Sequence, residues 1–156
     1  MDDIYVYCSN EEVSKYVSWN THQNLDDTRD FVTVVINQYE NNQPAPWGIE
    51  HKETSQFIGT IEFVDWKPKH KTAEIGYVIA RDYWGMGLAT EAVKNMILFG
   101  FQQMGLVRIQ ARCFTENTGS ERVMKKAGMS FEGIIRKGMY SKGQHRDLKQ
   151  YAIVKE

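Results

Sequence analysis

One stretch, AEIGYVIARDYWGMGLATEA from Ala73 to Ala92, limits what this chain can fold into more than any other. Ile75, Tyr77 and Ile79 alternate with Glu74, Gly76 and Val78, the period-2 pattern of an extended strand. Gly85 and Gly87 then mark a turn, and Leu88, Ala89, Thr90, Glu91, Ala92 and Val93 set a helical rhythm. In such a strand-turn-helix unit the first N–H groups of the helix lack internal partners. They also sit where the aligned peptide dipoles leave a partial positive charge. Glycine lets a ligand reach that backbone without meeting a Cβ. The stretch therefore predicts a cradle for a diphosphate. Two common phosphate chemistries lose their markers here. No lysine follows Gly87 as a P-loop requires, and Thr90 occupies the place of the third glycine in a dinucleotide fingerprint.

Around this unit the chain alternates short helical and extended patterns. Ser9-Asn10 precede Glu11 and Glu12 as a helix cap, and Leu25-Asp26-Asp27-Thr28 opens a longer helix with Phe31, Val32, Val35, Ile36 and Tyr39 at helical spacing. Trp47–His51 and Phe57–Val64 read as two strands about a polar turn, followed by the basic loop Lys67–Lys71. Beyond the helix that follows Gly87, Leu106–Phe114 is a strand and Asn117–Ala127 a helix, and Ser130–Met139 with Arg146–Val154 closes the chain as a strand pair. The order α-α-β-β-β-α-β-α-β-β predicts an α/β domain whose central sheet is mixed and mostly antiparallel, flanked by helices.

Length and composition narrow the function classes. The 156 residues, 42% of them hydrophobic, suffice for one domain with a real core, 1–156, without a linker or repeat. A net charge of -1 gives no polyanion signal, so no nucleic-acid partner is expected. No apolar run is long enough to span a bilayer, and Cys8 and Cys113 have neither metal-site nor disulfide spacing. The expected setting is cytoplasmic, with no metal and no membrane.

Trp84-Gly85-Met86-Gly87-Leu88-Ala89-Thr90-Glu91-Ala92 resembles the acetyl-CoA loop of the GNAT acetyltransferase superfamily, Q/R-x-x-G-x-G/A, with Trp84 in the Q/R position. A second block, Asn117-Thr118-Gly119-Ser120 with Lys126-Ala127-Gly128-Met129 and Glu132-Gly133, is similar to the branch of ribosomal-protein N-terminal and spermidine acetyltransferases. His145-Arg146-Asp147 and Tyr151 match the closing strands of that branch.

The resemblance implies a GNAT-like fold and an acetyl-CoA-dependent N-acetyltransferase acting on a protein N-terminus, a polyamine or a small primary amine. It implies that Trp84, Gly85, Met86, Gly87, Leu88, Ala89 and Thr90 hold the CoA pyrophosphate, and that Val78 and Ile79 pair with pantetheine amides as a borrowed strand edge. Arg81, Lys125 and Lys126 are candidates for the 3′-phosphate. Asn117 would contact the cofactor arm, and Ser120 would protonate the departing thiolate. Met124 stands where many members carry a proton-donating tyrosine. Glu74 is the first candidate for the base that deprotonates the amine, with Glu62, Glu50 and His22 as rivals. Met139 stands where the ribosomal-protein branch carries its glutamate.

Trp19, Trp66 and Tyr140 could line an acceptor pocket, and a nucleophilic cysteine would make the reaction two-step. The alternative reading is a non-catalytic acyl-CoA sensor or interaction module. Members of the superfamily also open with a strand ahead of the helix near Asp2-Asp3, which this chain lacks. A sheet with an uncovered edge is thus expected, through a truncated sequence or an edge-mediated homodimer.

Overall fold

The computed structural model describes residues 1–156. Three helices come first, α1 (Asp2–Cys8), α2 (Glu11–Ser14) and α3 (Leu25–Glu40). Strands β1 (Trp47–His51), β2 (Gln56–Lys67) and β3 (Thr72–Ile79) follow, then α4 (Leu88–Gln102), β4 (Arg108–Phe114), α5 (Thr118–Lys126), β5 (Ser130–Ser141) and β6 (Gln144–Val154). The six strands form one sheet in the order β1-β2-β3-β4-β6-β5. Every neighbouring pair is antiparallel except β3 and β4, which the α4 crossover makes parallel. The expected mixed, mostly antiparallel α/β sheet is therefore present.

Side-chain alternation sends the two faces of the sheet to different helices. Ile61, Ala73, Ile75, Ile109, Ala111, Cys113 and Tyr151 pack beneath Val93, Met96 and Ile97 of α4 and Met124 of α5. Gly100 lets α4 lie close to the sheet, since a Cβ there would come within 2.8 Å of Ile109 Cδ1. On the opposite face a smaller cluster of Tyr7, Cys8, Val13 and Ala80 packs with Ile4, Trp19, Phe57 and Val78. Asp3 fastens α1 to this face by accepting from the Phe57 N–H at 3.1 Å.

Three sequence expectations need adjustment. β2 runs on to Lys67 through a register shift between Phe63 and Asp65. The basic loop is a turn of 3-10 helix, Pro68–His70, closed by Lys71 in the left-handed region. Helix α3 forms where the apolar spacing predicted, yet only Thr28 of it is fully buried, because α3 packs mainly on α1 and not on the sheet.

The parallel pair is the consequential feature. β3 and β4 are in register only from Thr72↔Arg108 to Glu74↔Gln110. Beyond that point β3 stays with β2 as far as Gly59↔Ile79, while β4 follows β6 down to Phe114↔Leu148. The two strands part, and the sheet opens as a V. The outer edge of β1 pairs with no strand of this chain, and a bulge between Ile49 and Glu50 breaks its regularity. No helix is long and apolar enough to cross a membrane.

Candidate active site in the opening of the sheet

A cleft of about 720 Å³ occupies the V and runs through the sheet from one face to the other. Its floor is the free edge of β3. The Ala80 N–H donates to the Ile58 carbonyl of β2 at 2.7 Å, and the Val107 N–H donates to the Lys71 carbonyl at 2.8 Å across to the β4 side. Alternation along the strand therefore points the peptide groups of Val78 toward β2 and those of Tyr77 and Ile79 into the opening. The Val78 carbonyl accordingly lies against Gly59, 2.1 Å from where a Cβ would be. Of the two residues expected to offer peptide groups, Val78 gives the cleft a side chain only, whereas Ile79 keeps its N–H. The Ile79 carbonyl is already taken by the indole N–H of Trp84 at 2.8 Å.

That indole folds the turn back onto β3, and the Arg81 guanidinium covers its ring at 4.8 Å. Gly85 and Gly87 both have positive φ, +73° and +78°, conformations that favour glycine. Gly87 is the N-cap of α4, and its carbonyl accepts the first helical bond, from Glu91, at 3.0 Å. No side chain caps this end. Three of the other four helices differ, α1 alone also starting without a side-chain cap. Asn10, Asn24 and Asn117 each accept backbone N–H groups at the starts of α2, α3 and α5. At α4 the N–H groups of Leu88, Ala89 and Thr90 are left facing the cleft, where an anion would satisfy them. Arg122 and Lys126 of α5 line the same side, and neither has a carboxylate partner. Lys125 is paired with Glu121 and Arg81 with Glu12, so those two of the expected phosphate cations are already engaged.

Across the opening, α5 begins at Asn117, whose Oδ1 accepts the Ser120 N–H at 3.1 Å. Its side-chain amide N–H groups remain for a ligand. The Ser120 hydroxyl lies 2.7 Å from the Tyr77 hydroxyl, which also reaches the Ser120 carbonyl at 3.2 Å. Burial pushes the Tyr77 phenol well above its ordinary range, so it stays protonated. Sequence reasoning passed over Tyr77 as one more core position of β3. Only the packing of α5 on the strand reveals that a tyrosine hydroxyl reaches Ser120 from β3, while Met124 is sealed in the core. Cys113 also lines the cleft, but burial pushes its thiol up to about 11, leaving almost no thiolate at neutral pH. A cysteine-borne acyl intermediate has no support here.

The opposite face of the opening contains Thr60, Glu62 and Arg112, with Tyr16, Val17 and Trp19 at its mouth. Glu74, the first candidate for the base, is buried with both oxygens engaged: Arg112 Nε donates to one at 2.9 Å and Gln110 to the other at 2.9 Å. It ties β3 to β4 where they begin to part and does not line the cleft. Glu62, on β2 opposite Gly76 and so two residues along β3 from Glu74, lines the cleft and has no hydrogen bond or ion pair. Desolvation raises its carboxyl above the ordinary value. His22 is bound to Thr28 at 2.9 Å and packs between Trp19 and Phe31, and Glu50 is exposed on β1. Trp19 is at the mouth; Trp66 and Tyr140 lie elsewhere on the surface. No cluster of three metal-ligating side chains occurs.

Comparison with known proteins agrees with this geometry. The family described as Acetyltransferase (GNAT) domain matches residues 1–130. The N-acetyltransferase YoaA of Bacillus subtilis, itself uncharacterized, is 36% identical over 152 residues, 97% of this chain and 86% of its own length. The spermidine N(1)-acetyltransferase of Escherichia coli is 32% identical over 95 residues, 61% of this chain and 51% of its own. A crystal structure of a GNAT-family acetyltransferase from Bacillus anthracis superposes with a TM-score of 0.85 at 32% identity, covering 98% of this chain and 87% of that one. With a family match over most of its length and the V-shaped sheet that such a match requires, the chain belongs to the GNAT acetyltransferases, enzymes that use acetyl-CoA for N-acetylation.

Proposed function

We propose that this acetyltransferase moves the acetyl group directly from acetyl-CoA to a primary amine while both are bound. The observation that carries the reading is the uncapped start of α4 opening onto the parted strands, with the Ser120 hydroxyl on the far wall. Backbone N–H groups of Leu88, Ala89 and Thr90, with Met86 and the two glycines shaping the turn, would hold the diphosphate, and Arg122 and Lys126 would balance its charge. The pantetheine arm would lie along β3, using the Tyr77 carbonyl and the Asn117 amide, which leaves the Ile79 N–H for the reacting carbonyl.

The amine would enter from the opposite face, where Glu62 takes the base role first expected of Glu74. A proton leaves the ammonium for Glu62, and the freed nitrogen attacks the thioester carbon. The Ile79 N–H would stabilise the developing oxyanion. As the C–N bond forms and the C–S bond breaks, Ser120 gives its proton to the sulfur and is re-protonated by the second proton the nitrogen sheds on becoming an amide, with Tyr77 holding the serine hydroxyl; Glu62 releases the first proton to solvent. Candidate acceptors remain a protein N-terminus, a polyamine, as acted on by the Escherichia coli relative, or another small amine.

The test combines calorimetry with CoA and thiol release from acetyl-CoA across a panel of primary amines. CoA binding with turnover of at least one amine is expected. Binding with no turnover on any amine would favour the non-catalytic sensor.

A further inference from the structure

We infer that the acceptor is an amine with a single positive charge attached to an apolar or aromatic body, not a polyamine. This deepens the acetyl-transfer reading and rests on it. A polyamine presents two or more ammonium groups and needs several unpaired carboxylates along its path, because an ammonium removed from water without a counter-charge is costly.

The carboxylates near the acceptor side can be taken one by one. Glu74 is buried under Arg112, and Glu12 at the mouth is paired with Arg81 at 3.1 Å. Glu116 is engaged by Arg146, whose guanidinium also lies over the Phe114 ring. Asp65, on the same strand as Glu62, pairs with Lys67 at 3.0 Å and points away to solvent, and Glu50 is exposed on the edge strand. Glu62 alone is left unpaired in the cleft. It provides for one ammonium. Next to it the mouth is formed by the half-buried side chains of Tyr16, Val17 and Trp19. Tyr16 is held edge-on by Phe114 at 6.4 Å and Trp19 is held against His22 at 5.7 Å, so the aromatic surfaces are pre-set instead of ordered on binding. One charge at the bottom and rigid aromatic walls above it select the same chemistry twice.

The experiment measures kcat/KM by thiol release at saturating acetyl-CoA for phenethylamine, putrescine and spermidine, at low and at high ionic strength. Phenethylamine should exceed both polyamines by at least about tenfold, the discrimination that apolar pocket contacts supply. Its advantage should persist at high salt, because aromatic burial is not screened as charge pairing is. Spermidine or putrescine turned over as well as or better than phenethylamine would overturn the inference while leaving acetyl transfer standing. No turnover of any amine despite CoA binding would overturn both.

Discussion

The Tyr77 and Ser120 hydroxyls compete for one geometry. At 2.7 Å either oxygen can donate to the other, and Tyr77 can instead donate to the Ser120 carbonyl at 3.2 Å. When Tyr77 donates to Ser120 Oγ, the serine proton is free to meet the departing thiolate. When Tyr77 donates to the carbonyl, the serine turns its proton toward the tyrosine and is out of use. Two substitutions should separate these states. Ser120→Ala is expected to lower kcat by about tenfold or more with CoA affinity unchanged; general acids are worth more on average, but a thiolate of solution pKa near 8.5 leaves readily. Tyr77→Phe should lower kcat by a smaller factor, and in the Ser120→Ala background it should have no further effect. Steady-state kinetics of the four proteins would decide this: additive losses would mean that Tyr77 acts through packing and not through the serine. At this scale the sequence was half informative. Ser120 was nameable from its distance to Asn117. Tyr77 was not, because its partner lies 43 residues away on a helix whose placement no local pattern encodes. Nor could a local pattern show that Glu74, the first candidate base, is engaged by Arg112, 38 residues on.

Helix α4 is an element whose function lies in what its N-terminus lacks. Three other helices spend an asparagine side chain on their first N–H groups, and α4 begins at a glycine that offers none. The turn also stands open, with no atom within 4 Å of a Cβ built at Gly87. A substitution there tests ligand binding more than packing. Gly87→Ala should cost stability modestly, about 1 kcal/mol, because its φ of +78° disfavours a side chain. Gly87→Glu should carry the same backbone cost, partly offset by a favourable carboxylate at the helix N-terminus. Its CoA affinity, however, should fall by at least about a hundredfold, since the new charge opposes the diphosphate. Calorimetry and thermal melting of both variants would show whether affinity and stability separate in this way. A Gly87→Glu protein that binds CoA normally would place the diphosphate elsewhere. This element was the most legible part of the chain, since glycine spacing and helical rhythm are both local signals.

Across the whole molecule, carboxylates act on stability in opposite directions. Glu121, which fastens α5 to β6, is held down to about 2 by Lys149 first and then by Tyr151 and Lys125. Glu132, which links β5 to Arg108 across β6, is held down to about 2 chiefly by the Arg108 hydrogen bond. For both, the folded protein binds fewer protons than the unfolded one, so their stabilisation is present above the ordinary value of 4.5 and is lost as pH falls toward 2. Glu62 has the reverse sign. Its raised carboxyl favours the folded state below 4.5 and opposes it once pH rises through the folded value. Thermal melts from pH 2 to 8 should therefore show Glu121→Gln less stable at neutral pH, with a flatter acid limb. Glu62→Gln should be at least as stable as the parent at pH 7 while losing turnover. A Glu62→Gln protein that unfolds more readily at pH 7 would mean that the carboxylate serves the fold.

What the sequence determined by itself follows from interactions that are near in the chain: the strand-turn-helix unit, the capped start of α2, the order of elements and the family they compose. Each depends on the backbone geometry or periodicity of a few consecutive residues. The tertiary structure alone decided the parting of β3 from β4, the peptide groups that face the opening, and which acids are already paired. Those depend on register and on partners tens of residues apart: in and beside the cleft one glutamate stays unpaired while Arg81, Arg112 and Arg146 have been brought to the others.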